Sequence, residues 1–158
     1  MKASRGFTLM ELLFAIVALI VMMVVAVPTY RSFQLEKKRI HAQADLRVLK
    51  ASVELYKFKT GKYPVAVTLQ GKKDDPAWQL TLLNGSPRII ETVLMDPFSP
   101  GGAEPYHFVL SSYNEGEAKY YVIWSVGMNH KSKITGIDNA SGALTGPQGD
   151  DLIETNTP

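Results

Sequence analysis

The sequence predicts an α+β protein in which one long N-terminal helix, a membrane-length half followed by an amphipathic half, packs on a small antiparallel β-sheet head. Three observations carry this. Residues 7–27 form a run of 21 residues in which Glu11 is the only charge. Beyond Pro28 an apolar stripe resumes at helical spacing and reaches Tyr56. Further on, two runs rich in aromatic and β-branched residues, 106–111 and 120–126, flank a polar loop.

At about 1.5 Å per residue, a helix over residues 7–27 reaches roughly 31 Å, enough to cross a bilayer core. An ionised side chain left in hydrocarbon costs roughly 2.5–3.5 kcal/mol on insertion scales. Glu11 therefore requires a partner, unless it snorkels at the edge of an ordinary anchor. Residues 1–6, Met-Lys-Ala-Ser-Arg-Gly, form a short basic leader. A secretory signal differs, having an apolar region of about 7–15 residues with its cleavage site after it. The transmembrane helix is assigned to residues 7–30 and its amphipathic continuation to 31–62.

Pro28 lacks an N–H and is expected to kink the helix locally. Leu35, Ala42, Leu49 and Tyr56, interleaved with Leu46 and Val53, define one stripe that packs beneath a globular head of residues 63–158. Thr60-Gly61-Lys62-Tyr63-Pro64 ends the helix, because Gly61 suits a left-handed cap and Pro64 prevents continuation. Residues 65–104 read as loops with one short helix near 78–83 and a turn at Asp96-Pro97-Phe98-Ser99-Pro100-Gly101-Gly102. The two β-like runs form an antiparallel hairpin across 113–118, and 152–154 supply a third β-like piece.

The chain is 158 residues long, which leaves room for one modest domain after the anchor. Of 17 basic residues two, Lys2 and Arg5, lie in the leader, so 15 remain against 15 acidic ones. Residues 31–62 hold nine Lys or Arg against three acids, and residues 63–158 hold six against eleven. A basic stem carrying an acidic head disfavours nucleic acid as a partner. Lys2 and Arg5 precede the apolar run while Arg31, Lys37, Lys38 and Arg39 follow it, so the positive-inside rule gives no orientation. Without cysteine there is no disulfide framework and no thiol nucleophile, and another staple is expected.

No enzymatic constellation stands out. His41, His107 and His130 lack metal-ligand spacing, and no nucleophile elbow or phosphate loop follows a strand. Asp74-Asp75 and Glu115/Glu117 sit in Lys- or Gly-flanked loops and read as solvated acids. Tyr106, Phe108, Tyr120, Tyr121 and Trp124 recur at strand spacing and read as core.

Gly6, Phe7, Thr8, Leu9, Glu11 and Leu12 together resemble the class III leader shared by type IV pilins and type II secretion pseudopilins. The resemblance implies cleavage between Gly6 and Phe7 by a membrane-embedded prepilin peptidase and N-methylation of Phe7. The apolar helix stays in the mature, pilin-like fold. It also implies that Glu11 pairs with the N-terminal amine of a neighbouring subunit, setting register in a homo-polymer. Opposite charges in a low-dielectric surround stabilise one another far better than in water. Gly6, having no side chain, lets a protease approach its backbone. The implied location is the bacterial inner membrane, single-pass in membrane lipid, with the head in the periplasm.

Gly61-Lys62-Tyr63-Pro64, Asp96-Pro97, Ser125-Val126-Gly127-Met128-Asn129 and Asp150-Asp151-Leu152-Ile153 follow an order similar to that in the major pseudopilins of type II secretion. In that family the corresponding segments form a calcium site. The implied ligands here are the Val126 carbonyl, a side-chain oxygen of Ser125 or Asn129, and the carboxylates of Asp150 and Asp151. Calcium takes six to eight oxygens at about 2.3–2.6 Å. Asn129 stands where the family usually has Asp, which lowers the charge of the site. The oxygen-rich turn at 138–142 is a further contributor, or an ordinary Asx turn. The resulting expectation is a pseudopilin that polymerises on an inner-membrane assembly platform to drive protein secretion. The alternatives are a type IV pilin of a surface fibre for adhesion, motility or DNA uptake, and an anchored periplasmic domain that never polymerises.

Overall fold

A computed structural model of the protein describes residues 7–64, 77–112, 117–131 and 134–157. Gly6 and the other residues of the expected leader, Asp74-Asp75 and residues 113–116 lie outside these. The architecture is α+β, as the sequence predicts: a 52-residue helix α1, Leu9–Thr60, and a small antiparallel sheet. The chain divides into two units, Met1–Lys37 and Lys38–Pro158, so the second half of α1 belongs to the globular unit.

In the first unit the apolar side chains face outward, with Leu9 82%, Phe14 66% and Val24 68% exposed. An 18-residue window here has mean hydropathy 2.9 and none of it is buried, so the segment is long and apolar enough to cross a membrane. Pro28 lies inside the helix, and next to it the Thr29 hydroxyl donates to the Val25 carbonyl at 2.9 Å. Leu35, 45% exposed, belongs to this outward-facing part and not to the stripe that the periodicity suggested. Periodicity marks a face of a helix, and a face is buried only where other chain packs against it.

In the second unit that packing exists. Ala42, Leu46, Leu49 and Val53 are buried against Tyr63, Trp78, Leu82, Phe98, Tyr106, Phe108, Tyr121 and Ile123. A fully buried side chain of the Leu or Val class contributes roughly 1.5–3 kcal/mol, so this stripe carries much of the fold. α1 ends where Gly61 adopts φ 75° and donates its N–H to the Lys57 carbonyl at 2.8 Å, a conformation that glycine tolerates without a Cβ clash. A short helix α2, Ala77–Asn84, follows. Its Trp78 indole N–H donates to the Tyr106 carbonyl at 3.1 Å while the ring stacks on Phe108 at 4.8 Å.

The strands are β1 (His107–Leu110), β2 (Tyr121–Ser125), β3 (Gly136–Ile137), β4 (Leu144–Thr145) and β5 (Leu152–Thr155). β2 is central, pairing antiparallel with β1 and with β5, with Ile123 opposite both Phe108 and Glu154. β3 and β4 form a separate two-stranded ribbon. The sequence reading anticipated β1, β2 and β5 but not this ribbon, whose Ile137 packs with Val122, Trp124 and Ile134 in a second cluster. Polar ties join α1 to the sheet. The Tyr106 hydroxyl donates to Asp45 at 3.0 Å, that of Tyr121 to Glu54 at 2.8 Å, and Lys50 pairs with Glu154 at 3.1 Å. Burial, reinforced by the nearby carboxylates, pushes both phenols well above their ordinary range.

Candidate functional site

Two places hold the residues that the sequence singles out. The first is the start of α1. Glu11 Oε2 accepts the Thr8 backbone N–H at 2.8 Å and the Thr8 hydroxyl at 2.9 Å. The Glu11 N–H returns to the Thr8 hydroxyl oxygen at 3.3 Å. This is a capping box, in which Thr and a Glu three residues later satisfy otherwise unpaired donors of the first turn. Thr8 is the residue that sequence reasoning left without a role, although the Thr-x-x-Glu spacing signals it. Phe7, one residue before, is 88% exposed. The Glu11 carboxylate is thus held at the helix entrance by its own chain.

The second place lies where β2 ends. Asp96, 1% exposed, accepts three backbone or hydroxyl donors through its side chain: Phe98 N–H at 2.9 Å, Ser125 hydroxyl at 2.8 Å and Val126 N–H at 2.9 Å. Its backbone carbonyl accepts the Ser99 hydroxyl at 2.8 Å, and Ser99 in turn accepts the Glu104 N–H at 3.1 Å. This one carboxyl therefore ties the turn at 96–104 to the end of β2. In a chain without disulfides it acts as a staple. The sequence signal was an Asp before Pro in a turn, but which distant donors it would reach depends on tertiary packing.

After Val126 the chain turns at Gly127, φ 67°, where an added Cβ would lie 2.5 Å from the Asp150 carbonyl. Glycine is needed here both for the left-handed backbone and for the close approach. The approach brings the C-terminal acidic pair against the turn. Asp150 accepts the Asn129 N–H at 2.9 Å and also the Asn129 side-chain amide. Asn129 Oδ1 accepts the Lys131 N–H at 2.7 Å, and the His130 ring meets the Phe98 carbonyl. A cavity of about 370 Å³ opens beside them, lined by Arg39, Phe98, Gly127, Met128, Gly149, Asp150, Asp151 and Leu152.

The predicted ligand set is thus brought into one neighbourhood and then divided. Asp150 and Asp151 line the cavity. The Ser125 hydroxyl is turned to Asp96, and the Asn129 side-chain oxygen is engaged by Lys131. Among the described residues no three His, Asp or Glu side chains cluster as metal ligands do. Any cation at this cavity draws on Asp150, Asp151 and backbone carbonyls, with Arg39 as a competing charge. The turn at 138–142 does not join it: Asp138 accepts the Ser141 N–H at 2.7 Å and its hydroxyl at 2.6 Å, inside the β3–β4 loop. Those bonds hold its carboxyl below the usual range.

The histidines are apart: His41 faces Asp45 at 3.2 Å on α1, and His107 stacks on Trp124 at 5.1 Å. No family model matches the chain, and no curated protein or solved structure matches it either.

Proposed function

We propose that the chain is a pseudopilin-type subunit that polymerises from the inner membrane, as in a type II secretion pseudopilus, and exerts force through assembly, with no chemical step of its own. The observation that carries the reading is Glu11. It is the only charge in a 21-residue apolar run, sits five residues after Gly6, and lies in the first turn of an outward-facing helix continuous with a folded domain. The capping box with Thr8 gives this carboxylate a local role in any anchor, and pairing with a neighbour's Phe7 amine gives it a second one, at the edge of an apolar run where a charge is costly. Cleavage after Gly6, methylation of Phe7, other copies, the peptidase, an assembly platform and membrane lipid all belong to this reading. Calcium at the Asp150-Asp151 cavity is its metal component, a staple for the C-terminal loops.

The experiment is mass spectrometry of sheared surface fibres beside the cell envelope of the native host, seeking the methylated peptide that begins at Phe7. The expected result is that peptide in the envelope and not in the sheared fraction. Abundant peptide in sheared fibres would make the chain a surface pilin instead. Absence of any N-terminus at Phe7 would leave a non-polymerising anchored domain.

A further inference from the structure

Where α1 leaves its apolar run it carries two cations that no carboxylate answers. Arg31 and Lys37 lie within ten residues of Val27, and Glu36 is the only acid between residues 12 and 44. Among the described residues neither cation has a carboxylate partner; the ion pairs there are His41 with Asp45 and Lys50 with Glu154, both further along the chain. Arg39 is different, since it lines the cavity beside Asp150 and Asp151. Lys2 and Arg5 stand at the other end of the apolar run, so Arg31 and Lys37 do not orient the span either. Cations that neither tie a folded unit together nor orient a span point to an anion outside the chain.

Their depth says which anion. At about 1.5 Å per residue, Arg31 lies roughly 6 Å and Lys37 roughly 15 Å past Val27, beside a headgroup layer about 5–8 Å thick. Side chains on a helix lean toward its N-terminus, which here is toward the bilayer. Lys37 does so: its Nζ sits 4.5 Å from the centre of the Phe33 ring, one turn nearer the apolar run. The ammonium is thereby drawn back toward the level of Arg31. Tyr30, 64% exposed, supplies an amphipathic ring of the kind enriched at membrane–water interfaces, and Phe33, 55% exposed, an apolar one. At about 100° per residue, Tyr30, Phe33 and Lys37 share one helix face, with Arg31 flanking it on one side and Glu36 on the other.

We propose that residues 30–37 form a binding site for the headgroups of anionic phospholipids, in the leaflet from which α1 emerges. The site rests on the membrane-anchored reading above, because a helix that spans the bilayer brings these residues to its surface. Arg31 presents a planar fork that takes a phosphate through two N–H bonds, Lys37 adds a point charge, and Tyr30 offers a hydroxyl donor beside them. The Phe33 ring keeps Lys37 turned toward the lipid. Each basic residue at an anionic membrane surface strengthens binding roughly fivefold, so two of them separate an anionic lipid from a zwitterionic one of equal chain length.

The experiment reconstitutes the full-length chain into phosphatidylcholine vesicles that hold a trace of spin-labelled phosphatidylglycerol or spin-labelled phosphatidylcholine. Electron spin resonance reads the fraction of labelled lipid immobilised by the protein. Every version carries Lys2→Gln and Arg5→Gln, so that cations before the apolar run do not report. The expected result is an immobilised fraction several-fold larger for phosphatidylglycerol, shrinking in about 1 M salt, where charges are screened beyond about 3 Å. Arg31→Gln with Lys37→Gln removes most of that excess, and Lys59→Gln with Lys62→Gln, around the end of α1, leaves it. Arg31 and Lys37 are exposed and outside the globular unit, so an unchanged Tm of the head accompanies the loss. Equal fractions for the two lipids overturn the site, and so does an excess that survives the Arg31 and Lys37 substitutions. An alkaline carbonate wash of the same vesicles separates the two readings. Loss of the protein fails the anchor and the site together, whereas retention with equal fractions fails the site alone.

Discussion

Residues of one kind behave in opposite ways along a single helix. Leu12, Leu13, Ile16 and Val17 in the first unit are 49–58% exposed, whereas Leu46, Leu49 and Val53 in the second are 0–1% exposed. Composition does not distinguish them; the presence of a packing partner does. The second unit finds its partner within the chain, from α2, the sheet and the turn at 96–104. The apolar side chains of the first face outward, over a segment long and apolar enough to cross a membrane. On the proposed reading, such a molecule separates what folds it from what assembles it, and substitutions test that separation.

The largest effect is expected at Asp96. Asp96→Ala leaves the Phe98 and Val126 N–H groups and the Ser125 hydroxyl without their acceptor, at a cost on the order of 3–5 kcal/mol. Thermal unfolding of the detergent-solubilised chain reads this as a large fall in Tm, and a change within error would remove Asp96 as the staple. Next comes a paired test of the comparison itself. Leu49→Ala should cost about 2–5 kcal/mol in head stability through lost contacts and a cavity. Leu13→Ala, on an outward face, should leave the head's unfolding unchanged. Equal losses would mean that the two units share one cooperative core.

Alkaline pH gives a smaller, graded effect. Tyr106 and Tyr121 are held above their ordinary value of 10, first by burial and then by Asp45 and Glu54. A raised native pKa contributes stability that is complete below about pH 10 and declines above it, because the unfolded chain releases protons that the folded one retains. The head should therefore lose Tm above pH 10, and Tyr106→Phe or Tyr121→Phe should flatten that limb. A limb equally steep in both variants would show that other groups set it. Smallest is the calcium effect. Replacing Asp150 and Asp151 together with Ala should lower Tm in calcium but much less in chelator. An equal loss under both conditions would mean that the pair only packs.

The extent of sequence legibility follows from the same contrast. α1, its stop at Gly61, α2 and the order β1, β2, β5 were legible because each has a local cause: a period, a left-handed glycine, a β-branched run. β3 and β4 were not, since two-residue strands leave no period to read. Leu35 was misplaced because spacing identifies a helix face without saying where packing stops. The stripe named from the periodicity, through Ala42, Leu46, Leu49 and Val53, is the one the head covers, whereas the exposed row of Val48, Leu55 and Phe58 was not singled out. At the candidate site Glu11 was legible as an unusual charge, whereas the acidic pair was singled out only through the resemblance. The reach of Asp96 to Ser125 and Val126 depends on residues about thirty positions apart and has no local signature.

The central claim is that Glu11, beyond capping its own helix, serves assembly and not the folding of the head, and one variant tests it most directly. Glu11→Val, expressed with the cognate assembly machinery, should still yield an N-terminus at Phe7 and a head with unchanged Tm, while filament yield collapses because the Phe7 amine has lost its acceptor. Filaments at the normal yield with this variant would contradict the account.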